Sequence, residues 1–288
     1  MRTTLTTTLV LASLQHTILA QDFMTDAKAL RLSFTHIAEE SLEGRPTAVG
    51  MNQWEAMAPA FYIKPGNWTF AGGVRYQYTN LDFSDPTYID EDSLHSMEIP
   101  VFLSYETSDA LKWMAVINPN LSGDYEDVGD SWYFSALAGA MYSQNERLKW
   151  LFGAYYSNGF DDDFLVPAVG FHWNINDRSD LFVGGPFIRY SNNLTKQLDL
   201  LLSGRFASNR WNTTGNYSGP EEKRDLRIRA YRVSAALQWN ISKGQAAFVS
   251  IGADLAREVE IQDSSNSTLL KQDLETAPVI EIGFRYRF

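Results

Sequence analysis

The last segment of the chain, residues 278–288, constrains the fold more than any other. Apolar residues occupy every second position, and small or charged residues occupy the positions between them. Successive side chains of a β-strand point to opposite faces, so this alternation predicts a strand that separates two different solvents. The apolar set is Pro278, Ile280, Ile282, Phe284, Tyr286 and Phe288, and the opposite set is Glu281, Gly283, Arg285 and Arg287.

The same alternation recurs along the chain in segments of about ten residues, each followed by a turn, which is the pattern of a transmembrane β-barrel. Thirteen segments show it: 30–37, 53–63, 68–79, 95–105, 111–117, 132–142, 148–156, 165–173, 181–190, 198–206, 231–239, 247–255 and 278–288. Single-chain bacterial barrels have an even number of strands, so one segment is misassigned. The weakest are 30–37 and 181–190, because the latter contains Gly184-Gly185-Pro186 and proline is poorly tolerated inside a sheet.

The connections between these segments fall into two classes. Residues 64–67, 106–109, 144–147, 176–179 and 242–244 form short turns, whereas 80–93, 123–131, 209–224 and 258–273 are longer and rich in polar residues. Short turns on one side and long loops on the other match periplasmic turns and extracellular loops. The sequence therefore predicts an all-β fold, a single antiparallel up-and-down transmembrane β-barrel of about twelve strands, with ten to fourteen compatible.

The first twenty residues resemble a signal peptide. Arg2 provides a positive start, residues 9–19 are mostly apolar, and Ala20 is a small residue at a plausible cleavage point. We therefore expect residues 1–20 to be removed on export and residues 21–288 to form the barrel domain.

The terminal strand resembles the recognition strand of bacterial outer-membrane proteins, an alternating apolar run that ends in an aromatic residue. Segments 166–171 (VPAVGF) and 185–190 (GPFIRY) extend the likeness to an outer-membrane barrel family catalogued only as a domain of unknown function. The resemblance implies a bacterial outer-membrane location, contact with outer-membrane lipids, and binding to the barrel-assembly machinery. The residues assigned to membrane insertion are Ile280, Ile282, Phe284, Tyr286 and Phe288.

Composition removes several classes of function. The net charge of -11 disfavours nucleic acid as a partner, because phosphate binding requires a basic face. The chain has no cysteine, so disulfides and cysteine-ligated metals are excluded. We expect no cofactor and no metal; the acidic run 161–163 is interpreted as a solvated loop, with calcium binding as the alternative.

One segment invites comparison with lipid-hydrolysing barrels, in which a histidine activates a nearby serine. Ser157, Asn158 and Gly159 fit that local pattern, but Tyr155 stands at the position where the histidine belongs. Tyrosine is a poor general base at neutral pH, so we interpret this segment as a turn at the end of a strand.

The face opposite the lipid carries charges of both signs. By parity, nine residues are predicted to line the lumen: Arg75, Glu98, His172, Asp199, Arg205, Arg232, Asp254, Glu281 and Arg285. Such a set either forms a paired network that fills the interior or lines a narrow aqueous pore.

The leading hypothesis is a barrel without catalytic activity, either structural or a narrow channel for small solutes. Two alternatives stay open, a lipid-modifying barrel enzyme and a soluble secreted β-sandwich that binds a ligand. The sequence leaves the oligomeric state undetermined.

Overall fold

The computed structural model describes residues 28–85, 88–126, 131–158, 163–215 and 222–288, so the predicted signal peptide lies outside the described residues. Within these ranges no helix is long and apolar enough to cross a membrane. The strands are β1 (Ala29–Ser41), β2 (Ala48–Ile63), β3 (Trp68–Phe83), β4 (Ser93–Glu98), β5 (Val101–Glu106), β6 (Leu111–Gly123), β7 (Trp132–Ser143), β8 (Leu148–Ser157), β9 (Phe164–Asn176), β10 (Ser179–Gly184), β11 (Phe187–Asn193), β12 (Leu198–Gly215), β13 (Glu222–Ser242), β14 (Gln245–Asp263), β15 (Thr268–Leu274) and β16 (Ala277–Arg287).

Antiparallel pairing of neighbouring strands closes these elements into one ring. The ring is sealed between β1 and β16, where nine residue pairs run from Ala29 opposite Arg287 to Ile37 opposite Val279. Strands β4 and β5 are two parts of one strand interrupted at Pro100, and β15 and β16 are likewise consecutive partners of β14. The ring therefore has fourteen members, which confirms the predicted barrel at the upper end of the expected range.

Two local expectations were wrong. Segment 181–190 is not one strand but the hairpin β10–β11, which turns at Gly185-Pro186 with a positive φ of 58° at Gly185. Segments 209–224 and 258–273 are not mainly loops, because β12, β13, β14 and β15 continue far into them. The doubted segment 30–37 is a genuine strand within β1.

The outer surface and the connections orient the barrel in the membrane. Large apolar side chains are exposed around the ring, including Trp54, Trp113, Phe152 and Trp239, as hydrocarbon contact requires. The five short turns predicted from the sequence and both described termini lie at one end, where the Phe288 amide donates to the Lys28 carbonyl at 3.0 Å. By the general rule for such barrels this is the periplasmic end, and the protein belongs in the bacterial outer membrane.

The wall is of very uneven height. Strands β12, β13 and β14 have 18, 21 and 19 residues, whereas β10 and β11 have 6 and 7. Above the end of β11 the edge of β12 bends across the mouth of the barrel to the end of β6, where Asn212 lies opposite Gly123. The Ser122 hydroxyl donates to the Arg210 carbonyl at 2.6 Å, and the Asp124 amide donates to the Asn212 carbonyl at 3.1 Å.

Glycine is needed at this crossing. A Cβ atom on Gly123 would lie 2.4 Å from the Asn212 carbonyl oxygen, a distance that real Cβ atoms do not adopt. The bend of β12 therefore depends on a bare backbone at the end of β6.

Candidate functional site

The packing of side chains in the lumen changes from the periplasmic end to the outer end. Inward side chains in the lower half, such as Ser203, Ser234 and Gln238, are half-buried. At mid-height the side chains converge on a small charged cavity, and above it the interior is filled. The lumen is thus the region in which a solute could be held.

The central cavity has a volume of about 130 Å³. Five of the nine predicted lumen residues line it, contributed by β3, β4, β12, β13 and β16: Arg75, Glu98, Arg205, Arg232 and Glu281. Period-two alternation brings them together because each occupies an inward position of its own strand.

Arg75 lies between two carboxylates at the wall of this cavity. Its guanidinium donates to Glu55 at 2.6 Å and to Glu98 at 2.7 Å. The Asn118 amide donates to the second oxygen of Glu98 at 2.9 Å, so this buried carboxylate has partners on both oxygens. Charged hydrogen bonds of this length are strong, and they offset part of the desolvation cost of the three charges.

Two further ion pairs continue the network across the cavity. Arg232 forms a bidentate contact with Asp254 at 2.7 and 2.8 Å, and Arg31 donates to Glu281 at 2.9 Å. Arg205 lies directly opposite Arg232 in the β12–β13 ladder, and both residues line the cavity. The cavity wall therefore carries both signs of charge within a few ångströms.

Of the other four predicted residues, Asp254 pairs with Arg232 at the cavity wall, and three lie nearer the periplasm. His172 Nε2 is 3.4 Å from an Asp180 carboxylate oxygen, and Asp199 accepts hydrogen bonds from Gln238 and Asn240 at 3.2 and 2.8 Å. Arg285 lines a second cavity of about 460 Å³ at the periplasmic end. Whether any of the nine residues contacts a solute stays a prediction.

Sequence reasoning missed two central residues, Arg31 and Glu55. Their strands β1 and β2 have weaker patterns, but the signal was present: Arg31 alternates with the exposed Leu32, and Glu55 follows the exposed Trp54. Applying strand parity to these segments would have placed both side chains inward.

An apolar core closes the outer end of the lumen, and we call it the plug. The upper parts of β1–β4 face the upper parts of β12–β16 across it, and its side chains are almost completely buried. Trp211, from the bent part of β12, is its largest member and also borders the charged cavity. The plug consists of Ile37, Leu42, Val49, Met51, Leu81, Ile89, Leu94, Trp211, Leu226, Ile228, Val259, Ile261, Leu270, Leu274, Ala277 and Val279.

One charged group interrupts the plug. Arg257 is 1% exposed and donates only to two backbone carbonyls, those of Val49 at 3.2 Å and Glu275 at 3.3 Å. Its Nε has no hydrogen-bond partner, and it forms no salt bridge with a described residue. A buried cation without a carboxylate partner destabilises the structure around it.

The candidate nucleophile Ser157 does not sit in a catalytic arrangement with the described histidines. Ser157 is fully buried at the outer end of β8, whereas His172 pairs with Lys149 near the other end of that strand. Eight residues of strand separate the two levels, roughly 26 Å. The other described histidines, His36 and His95, contact Asn52 and Tyr76.

No group of three or more metal-ligating side chains occurs in the described parts of the chain. Residues 161 and 162 of the acidic run lie outside those parts, and Asp163 accepts a hydrogen bond from the Tyr156 hydroxyl at 3.0 Å. The calcium alternative for this run therefore stays a sequence-based prediction.

The predicted insertion residues lie on the lipid-facing side of β16. Ile280, Ile282 and Phe288 are exposed, and Phe284 and Tyr286 are half-buried among neighbouring apolar side chains. Because β16 closes the ring against β1, its edge is the seam of the barrel. Binding of this strand by assembly machinery stays a prediction.

Comparison with known proteins gives a family match and a shared architecture. The family model described as a domain of unknown function (DUF6268) matches residues 64–287, and no curated protein matches the chain. Among solved structures, the chain is similar to the deltaS2 mutant of the TodX monoaromatic hydrocarbon channel, with 10% identity, 90% and 89% of the two chains covered, and a TM-score of 0.48.

Two further solved structures are similar to the chain to a comparable degree. The NanC porin has 6% identity, 90% and 100% coverage and a TM-score of 0.43. The outer membrane phospholipase dimer of Salmonella typhi with bound calcium has 10% identity, 90% and 90% coverage and a TM-score of 0.41. At these values the similarity does not extend beyond the barrel architecture.

Proposed function

This chain belongs to the DUF6268 family, and we propose that it is a narrow, non-catalytic outer-membrane channel for small solutes, present in a state that is closed at its outer end. The observation that carries the proposal is the cavity lined by charged side chains directly beneath a plug of buried apolar side chains. Stability alone does not require Arg31, Arg75 and Arg232 beside a cavity, since apolar filling of a barrel interior is often as stable as buried ion pairs.

The architecture of the plug supports reversible opening. The long strands β12–β14 extend above the short β10–β11 hairpin, and the edge of β12 reaches the wall at the end of β6 through a single residue pair, Asn212 opposite Gly123. The burial of the Arg257 charge, without a salt bridge to any described residue, lowers the stability of the closed arrangement. Displacement of this upper sheet would connect the charged cavity with the outside.

The second candidate function is a structural barrel with no conducting state. The extensive pairing of the lumen charges and the sealed outer end both favour it. The two candidates differ in whether the plug ever opens.

Planar-bilayer recording of the refolded protein separates these candidates. We expect brief, small openings from the wild type, because the plug closes the lumen most of the time. Absence of openings both in the wild type and in variants with a weakened plug would leave the structural function.

Replacing Arg257 with methionine should stabilise the closed state. The apolar side chain removes a buried charge that forms no salt bridge with a described residue, and the desolvation penalty of such a charge is on the order of several kcal/mol. We expect a higher urea midpoint in detergent micelles together with fewer openings in the bilayer. Unchanged or more frequent openings would show that Arg257 does not work against closure.

A further inference from the structure

The lumen below the plug has two unlike walls. The wall built from β12–β16 and β1–β4 carries the ion pairs described above. The wall built from β5–β8, β10 and β11 presents apolar side chains to the same space, where a water-filled lumen would ordinarily be polar. These inward apolar residues are Phe102, Met114, Val116, Leu137, Met141, Leu151, Phe182 and Phe187.

Glycines form a recess in the apolar wall. Gly139 lies opposite Gly153, and Gly170 lies opposite Gly184, all at inward positions of β7–β10. A Cβ on Gly153 would lie 2.4 Å from the Ala138 carbonyl oxygen, so the neighbouring backbones approach too closely for any other residue. The bare backbone leaves a niche between the larger side chains.

The niche is lined on the lumen side by Met114, Leu137, Leu151, Ala168 and Phe182 and has a volume of about 40 Å³. This is room for roughly three water molecules, but a water needs two to four polar partners. The niche offers almost none, so a short apolar group fits it better than water does.

A cationic side chain stands beside the niche. Lys149 precedes Leu151 by two residues on the same inward face of β8, and it is half-buried. Among the described residues it forms no ion pair, unlike Lys112, which is 3.5 Å from Glu106. Two residues of strand correspond to roughly 7 Å, which matches a carboxylate joined to a chain of a few carbons.

We infer that the lumen binds small amphipathic carboxylates, with the alkyl or ring portion in the glycine niche and the carboxylate on Lys149. This deepens the proposed channel function by naming its solute class. The charged wall opposite provides polar contacts for the hydrated side of the same molecule.

Calorimetric titration of the refolded protein with acetate, butyrate and hexanoate tests the inference. Each methylene that enters an apolar site adds about 0.8 kcal/mol, close to a fourfold gain in affinity. We expect affinity to rise steeply from acetate to butyrate and further to hexanoate. Equal binding of the three acids, or no binding of any, would overturn the assignment.

Matched variants locate the site. Ala168→Phe fills the niche and should reduce hexanoate affinity at least tenfold, whereas Ala154→Phe adds the same ring to the lipid-facing side of the neighbouring strand and should leave it unchanged. Leu151→Ser removes apolar surface without adding bulk and should act like Ala168→Phe, which guards against misfolding of the latter. Equal effects of the inward and outward changes would contradict the niche.

The carboxylate contact is tested by Lys149→Met. This variant should weaken hexanoate binding at least tenfold while 1-hexanol binding is retained, and parallel loss of both probes would contradict the ionic contact. Binding requires no open plug, so a failure here is distinguishable from a failure to conduct in bilayers.

Discussion

Replacing Trp211 with alanine should convert the barrel from a mostly closed to a mostly open channel. Trp211 is the largest side chain of the plug, is 1% exposed, and belongs to the strand that bends across the mouth. Truncating a buried tryptophan to alanine costs about 3–5 kcal/mol, and this cost falls on the closed state. Since 3 kcal/mol exceeds two decades in an equilibrium constant, we expect open probability in bilayers to rise about a hundredfold.

The control for this experiment is Trp113→Ala. Trp113 is 53% exposed on the lipid-facing side of β6, so its loss removes an aromatic ring without touching the plug. We expect its channel activity to match that of the wild type. If Trp211→Ala folds and opens as rarely as the wild type, the plug is not what closes the lumen.

Replacing Arg75 with methionine should produce the largest loss of stability among the lumen charges. The change leaves Glu55 and Glu98 without their shared cation, although Asn118 still donates to Glu98. Removing one partner of a buried ion pair costs about 3–5 kcal/mol. We expect a clearly lower urea midpoint and, in conducting variants, a shift of selectivity toward cations.

Two comparisons make this prediction specific. Lys64→Met removes an exposed pair with Glu106, at 3.6 Å, and such surface pairs contribute about 0–1 kcal/mol. The triple variant Arg75→Met, Glu55→Gln, Glu98→Gln removes all three charges and should recover most of the lost stability. A single Arg75→Met variant as stable as Lys64→Met would show that the network does not hold the lumen together.

Strand parity explains why the barrel and most of its central charges were predictable. Once β3 is recognised, the side on which Arg75 lies follows from the exposed Val74 and Tyr76 beside it. The same reasoning placed Glu98, Arg205, Arg232 and Glu281, which line one cavity. This assignment of inward and outward positions uses only neighbours in sequence, so it works for every strand in which apolar and polar residues alternate regularly.

The plug was not predictable by the same reasoning. Residues 209–224 and 258–273 are rich in polar groups, and this composition suggested loops. Yet Leu226 and Ile228, just after the first segment, and Val259 and Ile261, in the second, alternate with charged or polar residues and face the core. Many of their partners are contributed by β1–β4, more than a hundred residues away in the chain, and no local pattern identifies so distant a contact.

The two-sided lumen shows a similar limit. The glycines at 139, 153, 170 and 184 read as small inward residues that suit any narrow barrel. Only the ladder register places Gly139 against Gly153 and Gly170 against Gly184, and so creates one recess. Register is set by pairing between strands, which sequence alternation constrains only up to a shift of two residues.

Sided labelling of a cysteine in the lumen tests most directly whether the protein is a channel closed at its outer end. The chain has no cysteine, so Ser234→Cys, on the half-buried inward face of β13, gives a single thiol below the plug. A separate variant, Ser265→Cys in the outer turn after β14, reports which way the protein is oriented in the proteoliposomes. A small membrane-impermeant thiol reagent is supplied to either side. We predict fast labelling of Ser234→Cys from the periplasmic side and slow labelling from the outside that becomes fast when Trp211→Ala is added. Equal labelling from both sides in the wild-type background, or slow outside labelling that Trp211→Ala leaves unchanged, would contradict a lumen gated by the plug.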